Sequence, residues 1–139
     1  MTPDQLATLH AGAFSATRAW SAQEFASLLD HTGTFVVGDT RSFVLIRVVA
    51  DEAEILTLAT DPAMRRKGLA RAVLGTALAR AHQMGAASMF LEVAEDNTPA
   101  IALYTTSGFT QVGRRPGYYT PKNAAPVAAL VMQVALGAN

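Results

Sequence analysis

The chain has 139 residues, half of them apolar and 16% charged, with eleven Lys plus Arg balanced by eleven Asp plus Glu and no cysteine. A chain of this size and apolar content is expected to form one domain, residues 1–139, and to bury roughly two-thirds of its unfolded surface, which excludes long intrinsic disorder. Zero net charge gives no global field for nucleic acid or an anionic membrane, and the lack of cysteine excludes disulfides, thiolate metal sites and a cysteine nucleophile.

His10, His31 and His82 show no ligand spacing, so no metal is expected. No basic segment followed by an apolar run opens the chain, and no stretch approaches the roughly eighteen apolar residues of a membrane span, so a cytoplasmic location is expected.

Thr2-Pro3-Asp4-Gln5 reads as a helix start, with Thr2 as N-cap, Pro3 at the first helical position and Gln5 closing a capping box. Leu6, Leu9, Ala13 and Phe14 supply its apolar stripe. Ser21 and Glu24 set a second capping box, with Trp20 placed to staple onto Phe25. The period then changes to that of strands: residues 34–37, a Gly38-Asp39 turn, residues 42–50, a turn at Asp51-Glu52, and residues 54–60. Asp61-Pro62 stops the third strand. A basic loop, Arg65-Arg66-Lys67-Gly68, then leads into a helix carrying Leu69, Val73, Leu74, Ala77, Leu78 and Ala81 and ended by Gly85. Residues 88–93 form a compact apolar strand, Thr98-Pro99 opens a short helix that stops at Gly108, Pro116 lies in a turn-like stretch, and residues 109–113 and 128–134 read as two last strands. The order is ααβββαβαββ. The helix between the third and fourth strands predicts a right-handed crossover with parallel pairing inside an otherwise antiparallel sheet.

Four constellations carry chemistry. Arg65, Arg66, Lys67 and Arg71 place four of eleven cations at a helix N-terminus, where each opposes the macrodipole by about 0.3 to 1 kcal/mol. A phosphate would compensate, accepting from the first-turn N–H groups, with Gly68 allowing close approach and Ala70 keeping the wall low; the bland alternative is a solvated basic turn. The spacing fits neither a nucleotide P-loop nor a Rossmann turn. Glu92, inside Met89-Phe90-Leu91-Glu92-Val93, is either an unpaired carboxylate in a covered strand, costly to ionise and so suited to accept a proton, or simply wet where the strand leaves the core. Asn97 either contacts a ligand or caps the following helix, and Tyr104 either donates a proton to a leaving thiolate or packs. Tyr118 and Tyr119, after Arg114-Arg115-Pro116-Gly117, either line a peptide groove or cover the sheet.

Taken together these pieces resemble the GNAT superfamily of acetyl-CoA-dependent N-acetyltransferases. Arg65-Arg66-Lys67-Gly68-Leu69-Ala70 fits its Arg/Gln-x-x-Gly-x-Gly/Ala loop. Trp20-Ser21, Asp51-Glu52-Ala53, Leu91-Glu92-Val93, Ala102-Leu103-Tyr104, Ser107-Gly108-Phe109 and Tyr118-Tyr119 stand in the order of its ribosomal-protein-alanine (RimI-type) branch. The resemblance implies an α/β (α+β) GNAT fold: one mixed, largely antiparallel twisted sheet of about six to seven strands, helices on both faces and a splayed parallel pair at the cofactor site. It makes Glu92 the general base and Tyr104 the general acid. It gives acetyl-CoA to backbone groups of Leu58, Ala59 and Thr60, to the loop and helix start at Arg65, Arg66, Lys67, Gly68, Leu69, Ala70 and Arg71, and to Asn97 and Tyr104. Trp20, Tyr118 and Tyr119 would line the acceptor site. The implied acceptor is a protein N-terminus or a small amine, with neither nucleic acid nor membrane as partner and a monomer or weak homodimer as the assembly. One departure stands out: family members often carry acidic residues before the last strand, where this chain reads Lys122-Asn123-Ala124-Ala125-Pro126-Val127. A small-amine acetyltransferase, or a non-catalytic acyl-CoA-binding module on the same scaffold, are the rival readings.

Overall fold

The computed structural model of the chain describes residues 1–13, 20–119 and 125–137. Both N-terminal helices start where their caps predict. In α1 (Pro3–Ala13) the Thr2 hydroxyl accepts the Gln5 N–H at 3.2 Å and the Gln5 side chain accepts the Thr2 N–H at 2.9 Å. In α2 (Ala22–Leu29) Ser21 and Glu24 exchange the same pair of bonds, both at 3.1 Å, and the Trp20 ring lies 5.6 Å from that of Phe25. Phe14, placed in the first stripe, lies outside the described residues.

The meander follows as β1 (Thr34–Asp39), β2 (Ser42–Val49) and β3 (Glu52–Thr60), but its turns sit elsewhere than expected. Asp39 pairs with Ser42, so the first turn is Thr40-Arg41 rather than Gly38-Asp39. The reason is local: the Asp39 carboxylate accepts the Arg41 backbone N–H at 2.9 Å and its guanidinium at 2.7 Å, closing the turn two residues later. Gly38 stays in the strand with φ 127°, where a Cβ would run into the Ser42 carbonyl and Phe43 Cα. Val49 pairs with Glu52, so the second turn is Ala50-Asp51, with Ala50 forced to φ 56°.

After a 3-10 turn at Pro62–Met64 come α3 (Leu69–Gln83), β4 (Ser88–Ala94), α4 (Thr98–Thr106), β5 (Thr110–Tyr119) and β6 (Val127–Ala135). The six strands form one sheet in the order β1-β2-β3-β4-β6-β5. Only β3 and β4 run parallel, and they pair at just three positions, Glu52 with Ser88, Ala53 with Met89 and Glu54 with Phe90. Beyond them the ladder stops. At that level β3 also bulges: Leu45 faces Thr57 and Ile46 faces Ile55, leaving Leu56 as the extra residue. β5 is longer than the predicted 109–113 and absorbs the turn-like Pro116. The pairing jumps from Arg115 with Ala129 to Tyr119 with Val127, so two surplus residues bulge around Pro116 and Gly117 on an edge strand, where a missing N–H is tolerated.

The bulge in β3 divides its side chains between two cores. Ala53 and Ile55 join Val44, Ile46, Met89, Leu91 and Met132 against Leu74, Ala77 and Ala81 of α3, with Tyr104 of α4 in the same cluster. Ala59 joins Phe43 and Leu45 on the other face, against Leu6 and Leu9 of α1 and Phe25 of α2. Helices therefore cover both faces. Among the described residues, no helix is long and apolar enough to cross a membrane.

Left-handed backbone at a non-glycine residue costs about 1 to 2 kcal/mol. Ala50→Gly is expected to stabilise the fold by about 1 kcal/mol after the entropy of the added glycine is subtracted, read as a melting-temperature rise of about 3 °C by calorimetry. An unchanged or lower melting temperature would contradict the strained turn.

Candidate functional site

The sequence places its cations immediately after β3, and the structure bends them around a cavity. Asp61 terminates the strand by accepting the Ala63 N–H at 2.9 Å, which starts the 3-10 turn and aims the loop back across the sheet. Within the loop Arg66 has φ 64° and Gly68 φ 75°, so two left-handed residues flank Lys67. Gly68 is the N-cap of α3 and gives no side-chain bond to its first turn. The orphan N–H groups of that 15-residue helix therefore have no side-chain cap, and the space where a Gly68 Cβ would stand is empty. Left-handed arginine is uncommon and costs of the order of 1–3 kcal/mol, a strain characteristic of ligand clamps.

The cavity, of about 710 Å³, has Leu58, Ala59 and Thr60 of β3 as one wall. Arg65, Arg66, Gly68, Leu69, Ala70 and Arg71 form the second. α4 supplies a third through Asn97, Pro99, Leu103 and Thr106, of which only Asn97 was singled out by sequence. The i, i+4, i+7 spacing of Pro99, Leu103 and Thr106 marks one helical face, but nothing in the sequence says which body that face looks at. Lys67 is exposed and lies outside the lining. Arg65 donates to the Ala13 carbonyl at 3.2 Å, and Arg71 to the Thr106 hydroxyl at 2.7 Å, so the two cations tie the loop to α1 and α4. An uncapped helix start, open space at Gly68 and guanidinium groups at the rim suit a diphosphate. The free edge of β3 past Glu54 suits an extended amide-bearing arm that adds to the sheet.

Asn97 satisfies both of its readings: its side-chain oxygen accepts the Ala100 N–H at 3.3 Å, capping α4, and the residue also lines the cavity.

Glu92 corrects the sequence argument. It is neither unpaired nor simply wet: its side chain is 22% exposed and meets the Arg115 guanidinium at 3.2 Å. Met89, Leu91 and Val93 alternate into the α3 core, so Glu92 points to the opposite face. Tyr104 belongs to the α3 core, buried edge-on against Phe109 with ring centroids 5.6 Å apart. Neither residue lines the cavity itself. Consecutive arginines on β5 thus pair with one carboxylate on β4 and one just past its end. Arg115 takes Glu92, while Arg114 binds Glu95 through two bonds of 3.3 and 3.0 Å, which hold the Glu95 carboxyl below the usual carboxylate range.

Of the aromatic acceptor candidates, Trp20 is half-buried, stacks on His10 at 5.1 Å and donates its backbone N–H to His10 Nδ1 at 3.2 Å. Tyr118 is half-exposed beneath the Arg115 guanidinium, 5.3 Å from the ring centroid. Tyr119 pairs through its backbone with Val127, and its side chain lies outside the described residues.

Residues 5–109 match the Acetyltransferase (GNAT) family. The ribosomal protein bS18-alanine N-acetyltransferase of Escherichia coli (strain K12) is 39% identical over 82 residues, 59% of this chain and 55% of that protein, so the match spans about half of the relative's length. The crystal structure of the ribosomal-protein-S18-alanine N-acetyltransferase from Escherichia coli superposes with a TM-score of 0.87 at 29% identity, over 99% of this chain and 89% of that one. Arabidopsis thaliana NAA60 in complex with acetyl-CoA, at 18% identity, shares the fold alone, with a TM-score of 0.81 over 98% of this chain and 94% of the other.

If the helix start is a diphosphate seat, Arg66→Ala is expected to weaken CoA binding by about tenfold, the value of one charge-assisted hydrogen bond, and added salt should weaken the wild type in the same direction. Isothermal titration calorimetry measures both, and a wild-type affinity unmoved by either change would assign the loop another role.

Proposed function

Because this chain belongs to the GNAT acetyltransferase family, we propose that it transfers an acetyl group from acetyl-CoA to the N-terminal α-amino group of a protein, in the manner of the ribosomal-protein-alanine type. The observation that carries the reading is the cavity at the uncapped, cationic start of α3, flanked by the free edge of β3.

Acetyl-CoA would supply the thioester carbonyl that a neutral amine attacks and the thiolate that leaves. The residues of this chain then have separable tasks. Arg65, Arg66, Arg71 and the first-turn N–H groups of α3 hold the diphosphate, with Lys67 adding charge from outside the cavity. Backbone groups of Leu58, Ala59 and Thr60 hold the arm, and N–H groups along the splayed part of β3 polarise the carbonyl oxygen. Asn97, already fixed as a cap, closes the α4 side. Glu92 takes the ammonium proton, through a water, and the Tyr104 hydroxyl returns a proton to the departing sulfur. An α-amino group with pKa near 7.7 to 8.0 asks little of a carboxylate base, whereas a lysine amine near 10.4 asks much more, which supports the N-terminal acceptor. Trp20, Tyr118 and Tyr119 would border the acceptor.

Mass spectrometry of a peptide library incubated with acetyl-CoA tests the acceptor class, the expected gain of one acetyl group being confined to N-terminal amines. Acetylation of free small amines alone would move the assignment to the small-amine reading, and CoA binding without any turnover to the non-catalytic one. Tyr104→Phe should lower kcat more than it raises the KM for acetyl-CoA, since the proton is needed only at the transition state. Glu92→Gln should depress the neutral-pH rate while cofactor affinity stays nearly intact, and wild-type turnover in either variant would remove that residue from its role.

A further inference from the structure

Among the described residues, the arginines tied to an oxygen fall into two groups. Arg41, Arg47, Arg114 and Arg115, none of which lines the cavity, pair with the carboxylates of Asp39, Glu54, Glu95 and Glu92. Arg65 and Arg71, which do line it, are tied instead to neutral oxygens, the Ala13 carbonyl and the Thr106 hydroxyl. Only the second of these is a side-chain oxygen, one that a substitution can remove. Thr106 is exposed on the last turn of α4, and its hydroxyl donates to the backbone carbonyls of Ala102 at 2.9 Å and Leu103 at 3.1 Å while accepting from Arg71 Nη2 at 2.7 Å. With its own proton directed into the helix, the oxygen turns a lone pair towards the guanidinium and meets it as a fixed acceptor.

A neutral partner matters because of where Arg71 stands. It lies in the first turn of α3, which contains no acidic residue, so its charge adds to the positive end of the helix. A carboxylate at position 106 would hold the guanidinium as firmly, but it would cancel that charge and repel a phosphate brought into the cavity. A hydroxyl orients the group without neutralising it. Thr106 engages one terminal nitrogen, and the planar fork keeps N–H groups on Nε and Nη1 for a second, anionic oxygen pair. We infer that Thr106 is a positioning residue for the donor: it holds Arg71 in the orientation that receives the diphosphate and leaves the arginine's charge whole. This inference rests on the acetyl-CoA reading of the cavity.

The experiment measures CoA affinity by isothermal titration calorimetry in wild type, Thr106→Val, Thr106→Ser and Thr106→Glu, and repeats Thr106→Val in an Arg71→Ala background. Each variant's melting temperature is recorded beside it. Thr106→Val is expected to weaken CoA binding by about three- to tenfold, the range for immobilising one rotamer-rich side chain on binding. Thr106→Ser, which keeps the hydroxyl, should restore the wild-type affinity. Thr106→Glu keeps a tie to Arg71 but cancels its charge, and so should weaken CoA more than valine does while its melting temperature holds. In Arg71→Ala the valine substitution should cost nothing further, since the two residues act through one contact. Wild-type affinity in Thr106→Val, no recovery in Thr106→Ser, a glutamate variant that binds CoA as well as the serine one, or a valine effect that persists in Arg71→Ala overturns the positioning role alone. A wild type that melts cooperatively yet gives no binding heat with CoA overturns the acetyl-CoA reading and this inference together.

Discussion

The structure turns on three rungs of parallel pairing. β3 and β4 are bonded only at Glu52, Ala53 and Glu54, and the surplus Leu56 then twists β3 away. Each further rung would take away part of the backbone that β3 has to offer. Stopping at three exposes the peptide edge of residues 55–60 in the middle of a sheet rather than at its rim. The cost of opening a ladder is limited because both strands keep their other neighbours, β2 for β3 and β6 for β4. The same bulge sends Ala59 into the α1–α2 core while Ile55 stays in the α3 core, so the strand is anchored on both faces as it departs.

Electrostatics completes what topology opens. The loop that follows β3 holds Arg66 and Gly68 in left-handed conformations and delivers an uncapped helix start beside four cations. Each feature is unfavourable alone, since positive side chains face the positive end of a dipole and an arginine sits in a sparsely allowed backbone region. They become consistent once a doubly charged anionic group is the intended neighbour. Arg65 and Arg71 meanwhile spend bonds on the Ala13 carbonyl and the Thr106 hydroxyl, which keeps the walls in register around the cavity.

Much of this was legible in the residues. The element order, both capping boxes, the Gly85 and Gly108 stops and the basic helix start all follow from local signals that act over three or four residues. What escaped was decided across the sheet. The hairpin turns shifted because Asp39 bonds forward to Arg41 and because Val49 must face Glu52, neither of which turn composition reveals. The pairing of Glu92 escaped because its partner is 23 residues away on a strand two places over, with β6 between them. The α4 wall of the cavity escaped because a short helix shows its stripe without showing its neighbour.

β5 is one of the sheet's two outer strands, with Val112 exposed on it, and an outer edge is a template for a stray chain to add onto. The double bulge at Pro116 and Gly117 breaks that template midway, because one residue has no N–H to offer and the surplus pair spoils the spacing for any straight newcomer. The irregularity that displaced a predicted turn thus doubles as a guard against aggregation, placed on the strand where the described sheet ends.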